Sequence, residues 1–361
     1  MLEAQRFAAT HNVSMPREVA RKPILLPKNL SLRDNYAETV GAVAAIRQTV
    51  LAEARPVMIY FDRLETLEPA AALLLTAEIF RCRNLVMGSR HGRMAQGNYP
   101  ANTDVFLQLR EMGFFAIIGV DDRASVPDWE DRKGRPFFSP FHTFNRVEST
   151  FAAEFCRAVI KAAFAISDVA MRRMTAALKE AMGNAHEHGY KEPTGLPTMK
   201  GRWWLSAYVD PIKKEMMITL LDQGAGIPRI LEATLFEKIT SMLTARAWTP
   251  SDGHMIAAAT ELHRTSTEQA GRGKGFRDMK SFIQACDDGE LRVLSNRGAY
   301  CYKKNGEHIS DEELSIGGTI VEWRVRHAEL IEVQDGQEEV NIRSQGLLPR
   351  SRPPHDQART S

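Results

Sequence analysis

The sequence predicts an α/β domain followed by an α+β two-layer sandwich. Three observations lead there. Apolar strand patterns alternate with helical ones over residues 23–125. A stretch dense in proline, glycine and charge then breaks that alternation at 126–148. Residues 149–327 carry helical segments mixed with strand candidates that pair most simply as an antiparallel sheet.

In order, "PILLPKNLSL" reads as an opening strand and "NYAETVGAVAAIRQTVLAEA" as a helix. "RPVMIYFD" is a compact apolar strand, and "EPAAALLLTAEIFRCRN" a strongly apolar helix. "NTDVFLQLREMGF" is another helix, expected to run straight into a strand, "FAIIGV". The stretch "DDRASVPDWEDRKGRPFFSPFHTFN" reads as a linker. Two helices follow, at about 149–165 and 168–189. "RWWLSAYVD" and "EMMITLLDQ" form a hairpin across "PIKK". Consecutive Trp203 and Trp204 should face opposite sides of their strand, one of them toward the core. Residues 227–270 carry helical patches without a strand. A helix from Phe276 leads to three strand candidates, "GELRVLSNRG", "AYCYKK" and "GTIVEWRVR". Residues 1–22 and 328–361 are polar and are expected to be poorly ordered.

Composition narrows the class. At 361 residues the chain has room for two cores, and 43% hydrophobic with 25% charged residues is globular usage. A net charge of +2 gives no reason to expect a nucleic-acid or membrane partner. Cys82, Cys156, Cys286 and Cys301 form no CxxC pair, so neither a disulfide framework nor a zinc site is indicated. No apolar run approaches the ~20 residues of a membrane span, and the N-terminal stretch lacks a signal-peptide core. A cytoplasmic location is the expectation.

Four local patterns carry chemistry. In "KEAMGNAHEHGY", Glu180, Asn184 and His188 follow at four-residue steps on one helix stripe, beside an apolar stripe of Met174, Leu178, Ala181 and Ala185. A carboxylate and an amide one turn apart can serve Mg²⁺, which takes few protein ligands, and the carboxylate can act as a base. A solvated helix face gives the same pattern. His186 and His188 lie about 200° apart on a helix and cannot chelate one ion. In "MMITLLDQGAGIP", Asp222 ends a buried strand and is followed by Gly224 and Gly226. Such an Asp needs a partner, which an exocyclic amine could supply, although a plain turn also fits. In "GRGKGFRDMKSFI", Gly271, Gly273, Lys274 and Gly275 precede a helix, as a phosphate cradle or a flexible linker would. It is no P-loop, because Lys274 is followed by Gly275. Finally, "IGGTIVEWRV" opens a strand with Gly318 and Thr319.

Jointly and in this order, the motifs resemble the GHKL-type ATP-binding domain shared by gyrase, a heat-shock chaperone, histidine kinases and MutL. Within that family "EAMGNAHEHGY" is most similar to the anti-sigma-factor serine kinases. The resemblance covers roughly residues 150–327. It implies Asn184 as the Mg²⁺ ligand, Glu180 as catalytic base, and Asp222 reading the adenine amine with Thr319 nearby. It also implies glycines 271–275 on the phosphates and residues 227–270 as a lid over ATP. The N-terminal half resembles a STAS domain, the antagonist fold that partners such kinases. Its helix opens with Glu68-Pro69-Ala70, so the usual acceptor hydroxyl is missing, and Thr66 falls before the helix.

The resemblance implies a signalling ATPase or serine/threonine kinase of partner-switching type. The alternative is a non-catalytic, ATP-gated binding module regulated in cis by the STAS-like domain. A sigma-factor-like or STAS-like protein is the partner it implies, and a homodimer is compatible with the family. DNA work of the gyrase type would need a transducer domain after the ATP site, where only about thirty residues remain.

Overall fold

The computed structural model describes residues 20–85, 94–119, 136–163, 168–230, 251–265 and 275–326, with isolated positions 237, 240, 241 and 244. The expected disordered ends, most of the expected lid and most of the glycine loop fall outside the described residues.

The chain is mixed α/β. In the N-terminal half, β1 (Lys22–Leu25), β3 (Val57–Tyr60) and β5 (Ala95–Gly97) form a parallel sheet in the order β1-β3-β5. A second small ladder pairs β2 (Asn29–Leu30) with β4 (Thr66–Leu67). Between these strands run α1 (Tyr36–Arg47, continued by a π-helical turn, Gln48–Ala52) and α2 (Pro69–Asn84). Helix α3 (Thr103–Glu111) is capped by the Asn102 side chain, which accepts from the backbone N–H of Asp104 and Val105. The expected strand "FAIIGV" is instead a short helix, α4 (Phe114–Ile117). Gly113, left-handed at φ 74°, turns the chain sharply after α3, and Phe114 and Phe115 drop into the core beside it. The sheet position next to β3 goes to β5, three residues too short to carry an alternation pattern.

The C-terminal half is built on one eight-stranded antiparallel sheet. Its strands are β6 (Phe137–Phe138), β7 (His142–Phe144), β8 (Trp203–Asp210), β9 (Glu215–Asp222), β10 (Asp288–Ser295), β11 (Gly298–Lys303), β12 (Gly306–Asp311) and β13 (Thr319–Arg326). They run in the order β12-β11-β10-β13-β9-β8-β6, and β7 also pairs with β8. The expected linker therefore ends in two edge strands, because "FFSPFHTF" offers alternate apolar side chains that pack once the backbone pairs with β8. Helices α5 (Ser149–Ala163), α6 (Asp168–Gly183), α8 (Asp252–Thr265) and α9 (Gly275–Gln284) cover one face, with a short α7 (Ile227–Ile230) after β9.

The other face is also covered, by the N-terminal half. Trp204, Leu221, Ile320, Leu294 and Ala299 stand opposite one another across five strands, and this row packs into the N-terminal core. Both tryptophans are thus buried, Trp203 under the helices and Trp204 against Phe80 of α2, ring centroids 5.0 Å apart. With both faces covered, all eight residues of β9 are buried. That is why "EMMITLLD" reads as a continuous apolar run rather than an alternation. Helix α2 is buried nearly all round for the same reason.

Ionic contacts flank the apolar row. Arg33 pairs with Glu322 of β13 and, at 2.6 Å, with Glu290 of β10, while the Arg292 guanidinium donates to the Leu32 carbonyl at 2.7 Å. Deeper in, Glu78 of α2 is 0% exposed and accepts from Arg81 at 2.7 Å and Arg47 at 3.1 Å. Burial alone would push the Glu78 carboxyl up, but the two guanidinium groups outweigh it and hold it below the usual range. All four cysteines are free thiols. Among the described residues no helix is long and apolar enough to cross a membrane.

Replacing Glu78 by Ala strands two buried guanidinium groups, and we expect a loss of about 3–5 kcal/mol in urea denaturation. Because the folded carboxyl is held low, its contribution is present above the unfolded value near ~4.3 and lost as pH falls through the lower folded value. The acid limb of stability should therefore be shallower in Glu78→Ala than in wild type.

Candidate functional site

The stripe of Met174, Leu178 and Ala181 on α6, continued by Ala185 in the turn after it, is buried, as its spacing predicts. This leaves Glu180 and Asn184 on the neighbouring stripe, both half-buried. From Asn184 the helix widens into a π-helical turn, Asn184–His188, closed by Gly189 N–H donating to the Asn184 carbonyl at 2.9 Å. The sequence implies an unbroken α-helix here. The i→i+5 closure winds more slowly than an α-helix, and such turns recur at functional sites. His188 ends the turn, half-buried.

The end of this turn is clasped by the loop after β9. The Ala225 N–H donates to the Gly189 carbonyl at 2.7 Å. A side chain at Gly224 would place its Cβ 2.0 Å from that same carbonyl oxygen, so only glycine permits the approach. Gly226 takes the left-handed φ of +84° that swings the chain into α7. The helix and the loop are therefore locked edge to edge, which brings the first and second motifs together.

Asp222 sits at the end of β9, 5% exposed. Its Oδ1 accepts from the Gly224 N–H at 2.8 Å. In the ladder it stands opposite Trp203 on one side and Thr319 on the other. Burial pushes its carboxyl up to about 7, against the lowering effect of hydrogen bonds from Gly224 and Thr319. The row continues through Thr319 to Ser295, whose hydroxyls lie 3.0 Å apart, and Ser295 in turn accepts from the Ile227 N–H at 2.8 Å. The late Thr319 is thus brought to the same place as Asp222.

On the other side of Glu180 lies α9. Burial raises the Glu180 carboxyl above its ordinary range, and the nearby charges of Asp278 on α9 and Glu187 raise it further. Three carboxylates and the Asn184 amide thus share one region of negative potential. Gly275 opens α9. Gly271, Gly273 and Lys274 lie outside the described residues. Among the described residues, no three His, Cys, Asp or Glu side chains gather into a metal-binding group.

Sequence reasoning missed three residues. The Tyr190 hydroxyl donates to the Arg202 carbonyl at 2.5 Å and accepts from the Gln223 N–H at 3.1 Å, tying the helix end to the residue after Asp222. The Asn296 amide donates to the Ala225 carbonyl at 3.0 Å. Ser295 completes the polar row. The only signal was the "HGY" ending for Tyr190 and the "SNRG" turn for the other two. Gln223 also reaches the N-terminal half, donating to Glu78 at 3.3 Å, and Arg47 donates to the Ile316 carbonyl at 2.6 Å, just before Gly317-Gly318-Thr319. No protein-family model matches the chain, and no curated protein matches it.

The two glycines of this region separate close approach from mere helix propensity. A Cβ at Gly183, within α6, meets nothing within 4 Å, so Gly183→Ala should stabilise by about 0.5–1 kcal/mol. Gly224→Ala must push two backbone segments apart and should destabilise by about 1–3 kcal/mol, both read as midpoint shifts in denaturant.

Proposed function

We propose that the chain is an Mg²⁺-ATP-dependent signalling enzyme, an ATPase or serine/threonine protein kinase, with a GHKL-type sandwich in its C-terminal half and a STAS-like N-terminal half. One observation carries the reading: the turn that opens at Asn184, one helical turn after Glu180, meets the Asp222 loop and the Thr319 strand, distant in sequence, around the Gly189–Ala225 hydrogen bond. Side-chain chemistry supports it. Asp222 is a buried carboxylate held by hydrogen bonds from Gly224 and Thr319 rather than by a cation, suited to a neutral donor such as an exocyclic amine. Glu180 is a half-buried carboxylate with a raised pKa, suited to general-base work. Asn184 offers a neutral oxygen within a negative region, suited to a hard cation whose remaining ligands are water and phosphate.

In this reading Asp222 and Thr319 fix the base of the nucleotide, and Asn184 holds the cation. Bound Mg²⁺-ATP supplies an electrophilic γ-phosphoryl group with its charge partly neutralised. Glu180 accepts a proton at its carboxylate from water or from a partner's hydroxyl. The packed α6–loop junction holds these groups in fixed relation, so positioning costs little at the moment of reaction.

The second reading, an ATP-gated binding module regulated in cis, is favoured by the Gln223–Glu78 and Arg47–Ile316 hydrogen bonds. They tie the N-terminal half directly to both sides of the Asp222 loop. The opening of α2 supports it too. Where a STAS acceptor hydroxyl would stand, the Glu68 carboxylate is held by the Ser31 hydroxyl at 2.8 Å and the Leu32 N–H at 2.5 Å.

Following the γ-phosphate separates the two. With γ-labelled ATP and Mg²⁺, label released as phosphate and lost in Glu180→Ala marks an ATPase, and label kept on protein marks a kinase. Bound nucleotide with no transfer leaves the gated module. Because Glu180 must be ionised to act, turnover should fall at a pH above the ordinary carboxylate range. ATP affinity should weaken as pH falls through about 7, where Asp222 takes up a proton, and this dependence should vanish in Asp222→Asn.

A further inference from the structure

The nucleotide reading leaves a concavity in the N-terminal half without a role. A cavity of about 340 Å³ opens between β3, β5, α4 and the C-terminal half of α2. That is the size of a small-molecule site. One side of it is aromatic: Phe61 lies 6.0 Å from Phe114, Phe114 5.3 Å from Phe115, and Tyr99 5.5 Å from Phe115, in tilted or edge-on pairs. A ring entering such a wall finds both edges and faces to meet.

One cation faces this wall. Ile79 and Arg83, four residues apart on α2, both line the cavity, while Phe80 between them turns to Trp204. Arg33, Arg47 and Arg81, by contrast, are each paired with a glutamate. Arg83 makes one hydrogen bond, from Nη1 to the Ala95 carbonyl at 3.0 Å, and no ion pair among the described residues. Burial lowers the pKa of its guanidinium, with no carboxylate among the described residues to oppose it. Asn98 is already committed, accepting from the Phe61 N–H at 2.8 Å and donating to Asp62 at 2.6 Å, so it shapes the wall rather than reading a ligand.

We propose that this cavity binds a small aromatic carboxylate, its ring system among Phe61, Phe114 and Phe115 and its charge on the free edge of Arg83. The single half-buried cation selects a monoanion, because the second charge of a dianionic phosphate would meet no second cation among the described lining residues. The site is separate from the nucleotide site, sharing with it only helix α2 and its contact to Gln223.

The test uses the full chain with 1-naphthylacetate as probe and neutral 1-naphthylacetamide as its charge control, each titrated by the naphthalene fluorescence. The acid should bind saturably, the amide about tenfold more weakly, as for loss of one charge-assisted pair. Arg83→Met should cost the acid about the same factor and leave the amide unchanged. Ile118→Trp, at the half-buried rim, should block both while Arg83 is intact. Saturating ATP should displace neither. Thermal melting confirms that each variant is folded, and the acid–amide comparison on wild type stands even if one is not. Absence of saturable binding up to about millimolar acid, equal affinity for acid and amide, indifference to a folded Arg83→Met, or displacement by ATP would each overturn the assignment.

Discussion

Glu78 is the carboxylate around which the two halves of the chain are joined. Two arginines, one on its own helix and one on the neighbouring helix, neutralise it in a fully buried position, and Gln223 of the other half reaches it too. Without those guanidinium groups a carboxylate could not be kept ionised there. With them, α2 can lie buried nearly all round, and the second face of the eight-stranded sheet gains a cover. The burial of Trp204, the apolar row across five strands and the placement of Arg47 beside the turn before Thr319 all depend on that helix being where it is.

Period and punctuation made much of the fold legible. The hairpin of β8 and β9, the strands β10, β11 and β13, and the helices around 149–189 stand where their patterns put them. What escaped were elements too short to carry a period, such as β5, β6 and β7, and β12, whose residues are mostly exposed and polar. "FAIIGV" was misleading because four apolar residues in a row suit a buried strand and a buried helical turn equally. Gly113 decided between them by turning the chain first.

The candidate site was legible in its parts and not in its joints. Glu180, Asn184, Asp222 and Thr319 announce themselves by residue type next to a pattern. The junction that gathers them is a backbone hydrogen bond between Gly189 and Ala225, and nothing in a side-chain alphabet marks a carbonyl. Gly224 hinted at it, since a glycine that must be glycine implies close approach, but not what approaches. The π-helical turn was equally silent. The cover over the second face was foreshadowed only by β9, too apolar for a strand with one wet side.

The shared core sets an order on the birth of the molecule. Arg33 and Glu322 are 289 positions apart, and the apolar row facing α2 is finished only by Ile320 on the last strand. As the chain leaves the ribosome, its first hundred or so residues carry a helix that can pack on its own half but has no sheet yet for its other side. Contacts so remote in sequence form late. The covering side of the N-terminal half must therefore wait until Ile320 has been made, and the doubly covered sheet closes late in assembly.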